Sequence, residues 1–469
     1  MSKKLIKELQ SVLGARGVLP ASDTGPYFKD MMGYYSGDSV PVLRPADTLQ
    51  VAEAVKICAK HHMPIVPQGG HTGLCGGGVA LSGKPSVILS LERMNRVLAV
   101  DADCYSITTE AGVVLQTIHD AAQRVDREFA MDWGARGSAM VGGALSTNGG
   151  GLNVLRYGTS RDQVLGLEVV LPDGSVWDGL RSLRKDASGY DLKHMFIGAE
   201  GTLGIITKAC LKLHPQQPVS QSLFGAIADF PRLMKLFETA RQVGGNNLSA
   251  FELVPGDGMR RMSSQFPAIS QPLDTNAEWC VLIRYSGTEA AAVEALLTTL
   301  FERAFEDSLL SDAVISQSIA QEQNLWAMRD HLPPENLWSQ RKLKWDVSVP
   351  INRMVEFINQ AKAQLSQQRP QGRFYAFGHV GDGNLHTIIF PGDDDGADYD
   401  TVCANLYKMV DELVWSLGGS ICAEHGVGIE NVQRLHGQKS TLELDMMRNI
   451  KGLFDPQGLM NPGKLIPDA

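Results

Sequence analysis

Seven cysteines, at positions 58, 75, 104, 210, 280, 403 and 422, are scattered along the chain, odd in number, and include no Cys-x-x-Cys pair. A disulfide framework, a zinc ribbon and an iron–sulfur cluster built within the chain are therefore not expected, and a reducing, cytoplasmic setting is. No run of 18 apolar residues occurs, so no membrane-spanning helix is expected. The first residues, Met1-Ser-Lys-Lys-Leu-Ile-Lys-Glu-Leu-Gln, carry basic groups without the apolar core of a secretory signal. Positive charge is also short: 43 Lys and Arg against 52 Asp and Glu give a net charge of −9 and a pI near 5.7. Such a balance argues against a broad nucleic-acid surface, so an anionic ligand has to be met by local cations or backbone N–H groups. What remains is an ordinary globular composition, 43% hydrophobic and 20% charged over 469 residues, enough for two or three domain-sized units.

Glycine is the exception, with 48 residues, many of them in two clusters. Around them the chain alternates in pattern. Leu5, Leu9, Val12 and Leu13 have helical spacing, as do Val51, Ala54, Val55 and Cys58, and Val114 to Val125. Pro64–Pro67, Ser86–Leu91, Ser106–Gly112, Val164–Leu171 and Gly204–Leu213 read as strands. The Pro-rich stretch His214–Pro218 marks a boundary near residue 215. Beyond it, helical patterns at Phe230–Val243 and Glu289–Glu306 alternate with strands at Ala277–Tyr285 and Lys344–Val349, as expected for an α+β domain with a sheet covered by helices. A helix over Met446–Phe454 closes the chain. The expected organisation is 1–215, 216–425 and a C-terminal segment, 426–469, that returns to the first domain.

The first cluster, Pro67-Gln-Gly-Gly-His-Thr-Gly-Leu-Cys-Gly-Gly-Gly78, places six glycines in the ten positions from Gly69 to Gly78. Such a run lets consecutive N–H groups converge on a phosphate without side-chain obstruction. It is neither a Walker A sequence nor a G-x-G-x-x-G turn opening a helix, which disfavours a nicotinamide-dinucleotide site. Taken alone it also fits a flexible surface loop. The second cluster, Gly134-Ala-Arg-Gly137-Ser-Ala-Met-Val-Gly-Gly143 with Asn148-Gly-Gly-Gly151, adds hydrogen-bonding partners, and two such loops fit a long dinucleotide. Together with Arg156-Tyr-Gly158 and Gly198-Ala-Glu-Gly-Thr-Leu-Gly-Ile-Ile-Thr207, this pattern resembles the FAD domain of the vanillyl-alcohol-oxidase (PCMH-type) superfamily, within it the D-2-hydroxyglutarate and D-lactate dehydrogenase group. The resemblance implies a two-part FAD-binding domain plus a cap domain with an antiparallel sheet. It implies that Pro67, Gly69, Gly70, Thr72, Gly73, Gly76 and Gly77 wrap the pyrophosphate. Gly137, Ser138, Gly142, Gly143, Asn148, Gly201, Ile206 and Asn461 would line the rest of the cofactor. His71 occupies a position where some relatives attach the flavin covalently; a polar residue beside non-covalent FAD is expected here.

A further constellation is polar. Phe374-Tyr-Ala-Phe-Gly-His379-Val-Gly-Asp-Gly-Asn384-Leu-His386 reads as strand, turn, strand. With Gly381–Asn384 as the loop, His379 would face His386 across the hairpin and two imidazoles could grip one ion. Ala423-Glu424-His425-Gly426 adds an acid and a third imidazole in a Gly-rich turn, and two histidines with one carboxylate form a common divalent site. The same resemblance implies His379, His386 and Glu424 as ligands of a divalent metal, zinc being the expected one, and His425 as catalytic base.

Trp326-Ala-Met-Arg329 and Arg341-Lys-Leu-Lys344 bring cations to an acidic protein, either as a solvated face or as a carboxylate receptor. The resemblance implies the latter for Arg329 and Lys344, with Asn384 and His425 also touching substrate. Pro333 departs from the pattern of hydroxyglutarate enzymes, which have a threonine there, so D-lactate and D-malate stay open beside D-2-hydroxyglutarate. The expected function is FAD-dependent oxidation of a D-2-hydroxy acid, with electrons passed to an electron-transfer flavoprotein, a quinone or a cytochrome, and a homodimer as one expected assembly. The competing readings are an oxidase that uses oxygen, a metal-dependent hydrolase with the same histidines, and a non-catalytic FAD-binding protein.

Overall fold

The computed structural model describes residues 2–333, 341–392 and 398–467. The chain forms two compact units: Met1–Gly151, Tyr157–Gln216 and Glu424–Ala469 make the first, Leu152–Arg156 and Gln217–Ala423 the second.

In the first unit the leading helix, Lys3–Leu13, is capped by Ser2, whose hydroxyl accepts the Leu5 N–H, and it buries Leu5, Leu9 and Leu13, each one turn from the next. It packs on the helix Thr48–Lys60, capped by Asp47, which buries Val51, Ala54, Val55 and Cys58 as its spacing predicts. A four-stranded sheet has the order Val18–Leu19, Val42–Leu43, Val87–Ser90, Ile65–Gln68, and the last three run parallel. The free side of Ile65 is closed by Met460, nearly the whole chain later: Ile65 donates to the Leu459 carbonyl and accepts from Asn461 N–H. A second sheet, all antiparallel, orders Val97–Asp101, Ser106–Glu110, Ile205–Lys212, Val164–Val170 and Val176–Gly179. Val164–Val170 is buried at every position and is apolar except for Glu168, whose carboxylate accepts from Thr48, Thr207 and Lys208.

The second unit is one antiparallel sheet of seven strands in the order Leu310–Ile315, Val219–Ile227, Trp279–Gly287, Leu248–Pro255, Arg373–His379, Asn384–Phe390 and Leu343–Ser348. Side chains alternate between its faces. Leu223, Leu253, Ile283, Val347, Leu385 and Ile389 point to one face, covered by helices Leu233–Gly244, Ala290–Glu306, Met354–Gln368 and Tyr399–Ser416. Phe224, Val254, Leu282, Tyr375, Phe377 and Ile388 point to the other, under helices Gly256–Gln265 and Ile319–Asp330. By the same alternation Glu252, His379, Asn384, His386, Asp346 and Lys344 all share that second face.

Two expectations are corrected here. The hairpin turn is Val380–Gly383, so His379 pairs with Asn384 and His386 with Phe377. His379 does not face His386 directly; the offset is one diagonal, and because two residues separate the registers both imidazoles stay on one face. Glu424 and His425, placed by sequence at the end of the second domain, group with the first unit. Their turn is held there by the Glu200 carboxylate, which accepts from Val427 and Gly428 N–H at 2.6 and 2.9 Å, and by Ile429 N–H donating to the Cys75 carbonyl. Conversely Leu152–Arg156 groups with the second unit, where Leu155 packs against Gly381 and Asn153 accepts from Arg284.

Candidate active site

The first unit contains a cavity of about 360 Å³ whose walls are rich in glycine. Pro67, Gly69, Gly70, His71, Thr72, Gly73, Gly76 and Gly77 line one side, Gly142 and Gly143 another, and Gly201, Ile206 and Asn461 a third. The glycines divide into two kinds. A Cβ on Gly70 would collide with the Ser138 carbonyl oxygen, and one on Gly142 would lie 2.8 Å from the Ala111 Cβ, so these positions need glycine for packing. Gly73 and Gly143 have no protein atom within 4 Å of the Cβ position, although both line the cavity. Their missing side chains keep space open for a ligand.

Three expected cofactor residues lie off this wall. Gly137 and Ser138 are exposed, and Ser138 contributes through its backbone packing on Gly70. Asn148 turns its Oδ1 to the Arg161 N–H at 2.9 Å. His71 lines the cavity in a left-handed conformation, φ 56°, with Nε2 bonded to the Lys29 carbonyl; burial lowers its pKa. A carbonyl only accepts, so His71 carries its proton on Nε2.

Sequence reasoning gave Glu200 no role of its own. Its carboxyl is buried, and burial pushes its pKa up although two N–H groups and Lys464 oppose the shift. Lys464, pushed down to about 8 by burial, donates to the Val79 carbonyl at 2.6 Å and to Asn461 Oδ1 at 3.0 Å. Asn461 in turn donates to the carbonyls of Gly77 and Glu200. This network ties the C-terminal Asn-Pro-Gly to the first glycine loop and holds the turn bearing Glu424 and His425. Both of those residues line the cavity, and Glu424 accepts the Gly151 N–H at 2.7 Å. An acidic residue inside Gly-Ala-Glu-Gly was the available signal for Glu200.

In the second unit the shared sheet face assembles the remaining candidates. The rings of His379 and His386 are 5.7 Å apart at 79°. His379 Nδ1 lies 2.6 Å from Glu252 Oε1, and Arg329 donates through Nε to Glu252 Oε2 at 2.8 Å and through Nη2 to His379 Nε2 at 3.3 Å. Burial would push the Glu252 carboxyl up, but His379 and Arg329 outweigh it and hold the group far below the usual carboxylate range. His386 Nδ1 is 3.5 Å from Asp346 Oδ1. Asn384 donates to Asp346 Oδ1 and the Val347 carbonyl, both at 2.9 Å, which fixes its amide and leaves its buried Oδ1 without a hydrogen-bond partner. An acceptor orphaned this way asks for a donor or a cation. Lys344 is half-buried on the same face, and Pro333 follows Leu332, whose carbonyl accepts from Tyr375. Glu252 and Asp346 were absent from the sequence expectations because neither sits in a glycine-flanked motif.

The FAD binding domain family matches residues 41–179, and the family described as FAD linked oxidases, C-terminal domain, matches residues 218–465. The chain belongs to the FAD-linked oxidase family. Its glycine-lined cavity lies in the unit that carries the FAD binding domain match, and its residues fit that cofactor. The D-2-hydroxyglutarate dehydrogenase of Xanthomonas citri pv. viticola is 34% identical over 463 residues, 98% of this chain and 96% of the relative. The mitochondrial D-2-hydroxyglutarate dehydrogenase of Arabidopsis thaliana is 32% identical over 471 residues, 100% of this chain and 82% of the relative. Among solved structures, p-cresol methylhydroxylase with bound substrate superposes with a TM-score of 0.72 at 20% identity, covering 98% and 96% of the two chains, and shares the fold. The fold is thus the PCMH-type two-part architecture with antiparallel sheets. No helix among the described residues is long and apolar enough to cross a membrane.

Proposed function

We propose that this FAD-linked oxidase family member is a dehydrogenase that converts a D-2-hydroxy acid to the 2-oxo acid. The observation that carries the reading is the single sheet face that gathers two imidazoles, two carboxylates, Lys344, Arg329 and an orphaned amide oxygen in a chain that also builds a glycine-rich FAD cavity. The names of the relatives supply the substrate class.

Bound FAD supplies the hydride acceptor, and a divalent metal, zinc by the chemistry of the donors, supplies charge that favours loss of the hydroxyl proton. His379 and His386 are the nitrogen ligands, and Glu424 is the carboxylate implied by the family motif; it follows directly on Ala423, whose N–H donates to the Asp346 carbonyl. Arg329 and Lys344 receive the substrate carboxylate, the former as a fork and the latter as a point charge. Asn384 Oδ1 accepts from the hydroxyl, and His425 removes the hydroxyl proton as general base. The backbone of the glycine loops leaves room for the cofactor, and FAD is held without a covalent bond, with His71, its Nε2–H donated to the Lys29 carbonyl, as a polar neighbour. Electrons leave to an electron-transfer flavoprotein, a quinone or a cytochrome.

A hydrolase built on the same histidines would leave the FAD cavity without a purpose, and an oxidase differs only in the acceptor. Anaerobic mixing of the purified, metal-loaded protein with D- and L-2-hydroxyglutarate, malate and lactate tests the reading. Flavin bleaching by the D-acids alone, abolished by a chelator, is expected. A flavin that no 2-hydroxy acid reduces overturns it. Fast reoxidation by air after bleaching favours the oxidase.

A further inference from the structure

The strand Leu248–Pro255 is buried at every position and, apart from Ser249, apolar around one charge, Glu252. A carboxylate there is costly to desolvate unless it is paired and hydrogen-bonded, so its presence calls for a task. Its neighbours define one. Glu252 is the register partner of His379, which sets carboxylate and imidazole side by side on the same face. The Arg329 guanidinium has no acceptor, so at 3.3 Å its Nη2–H requires a lone pair on His379 Nε2. The ring proton then sits on Nδ1 and is donated to Glu252 at 2.6 Å. His386 repeats the arrangement more loosely: its register partner is Asp346, its Nδ1 lies 3.5 Å from the Asp346 carboxylate, and Asn384 pins that carboxylate from the other side.

We propose that Glu252 is a positioning residue for the metal ligands: it locks His379 in the Nδ1–H tautomer so that Nε2 is the ligating atom, and Asp346 sets the same choice in His386. The inference rests on the metal reading above and adds the groups that prepare the ligands. A carboxylate on the far nitrogen fixes the plane of the ring and raises the basicity of the nitrogen that binds. Glu252 does a second thing at once. Its other oxygen anchors Arg329 through Nε. When Nε2 is taken by a metal, Arg329 has to withdraw its Nη2–H, and the substrate carboxylate is the acceptor that replaces it. Metal and acid therefore bind in a coupled way, with Glu252 as the pivot between them.

The test uses full-length, FAD-loaded enzyme and reads the Zn²⁺ dissociation constant by competition with a chromophoric chelator. Glu252→Gln keeps the shape and an acceptor but loses the charge, and is expected to weaken zinc about 10- to 100-fold; Asp346→Asn is expected to weaken it by less, in keeping with its longer contact. Excess zinc should restore kcat in Glu252→Gln, which a catalytic role would not allow. The flavin spectrum reports whether each variant is folded, and if Glu252→Gln is not, Asp346→Asn decides. A wild-type enzyme that binds zinc while both folded variants bind it within about threefold of wild type overturns the positioning role alone. A wild-type enzyme that binds no divalent ion overturns the metal reading and this inference with it.

Discussion

Gly143 offers a sharp separation of folding from cofactor binding. It sits inside the short helix Val141–Ser146, where alanine is intrinsically preferred over glycine by about 0.5–1 kcal/mol. Its Cβ position meets no protein atom within 4 Å and lies on the cavity wall. Gly143→Ala should therefore leave the FAD-free protein as stable as wild type or slightly more so. In the presence of FAD the added methyl enters space the cofactor fills, and overpacking of about 1–3 kcal/mol corresponds to a dissociation constant roughly 5- to 150-fold weaker. Gly142→Ala, one residue earlier, should do the reverse. Its Cβ would press on Ala111 at 2.8 Å, costing about 1–3 kcal/mol of stability with or without FAD. Urea midpoints of the FAD-free proteins and fluorescence titration of FAD read both effects. Equal FAD affinity in Gly143→Ala and wild type would refute the assignment of this wall to the cofactor.

His425→Gln should retain the flavin spectrum while kcat for the D-acid falls by about 10²–10⁴, measured by steady-state dye reduction; an unchanged kcat removes His425 from the role of base. Lys464, held near 8 against about 10.4 in an unfolded chain, binds fewer protons folded than unfolded, so its desolvation cost is complete below pH 8 and fades as pH climbs to about 10. Lys464→Met carries no such relief, so wild type should gain on the variant by about 2–3 kcal/mol between pH 7 and 10 in urea denaturation; a constant gap contradicts the buried-lysine account. Pro333→Thr supplies a hydroxyl donor beside the Arg329 helix and should raise kcat/KM for D-2-hydroxyglutarate relative to D-lactate by about tenfold, a shift absent if the distal carboxylate is held elsewhere.

Elements whose residues repeat with a clean period were legible from sequence. Leu5, Leu9 and Leu13 alone define the first helix, and the stretch Val164–Val170, apolar but for Glu168, marks a strand covered on both faces. The hairpin was legible in kind but not in register: Gly381-Asp-Gly-Asn384 looks like a complete loop, yet the backbone turns at Val380–Gly383 and draws Asn384 into the ladder. Because the error was an even number of residues, the shared face of the two histidines survived it. The glycine loops were visible as loops, but sequence could not separate Gly70 and Gly142, which pack on backbone and side chain, from Gly73 and Gly143, which face open space. That distinction depends on what lies opposite, and Ser138 and Ala111 are remote from the first loop in sequence. Glu252 was invisible as a functional residue for the same reason, and Glu200 was signalled only by its glycine-flanked context: a buried carboxylate is defined by partners on other strands and turns.

The closure of Ile65 by Met460, and of the first glycine loop by Asn461, sets the order in which a growing chain can finish its parts. Residues up to Gln216 leave the ribosome early, yet the edge of their sheet and the far wall of their cavity wait for a segment that begins at Glu424. At about 5–20 residues per second that wait is on the order of 10–40 s, and the whole second unit is completed within it. The nascent FAD unit therefore spends its longest interval as an open-edged intermediate, exposed to mispairing and to chaperones. The far wall of the FAD cavity is thus completed only after the seven-stranded sheet of the second unit has been synthesised.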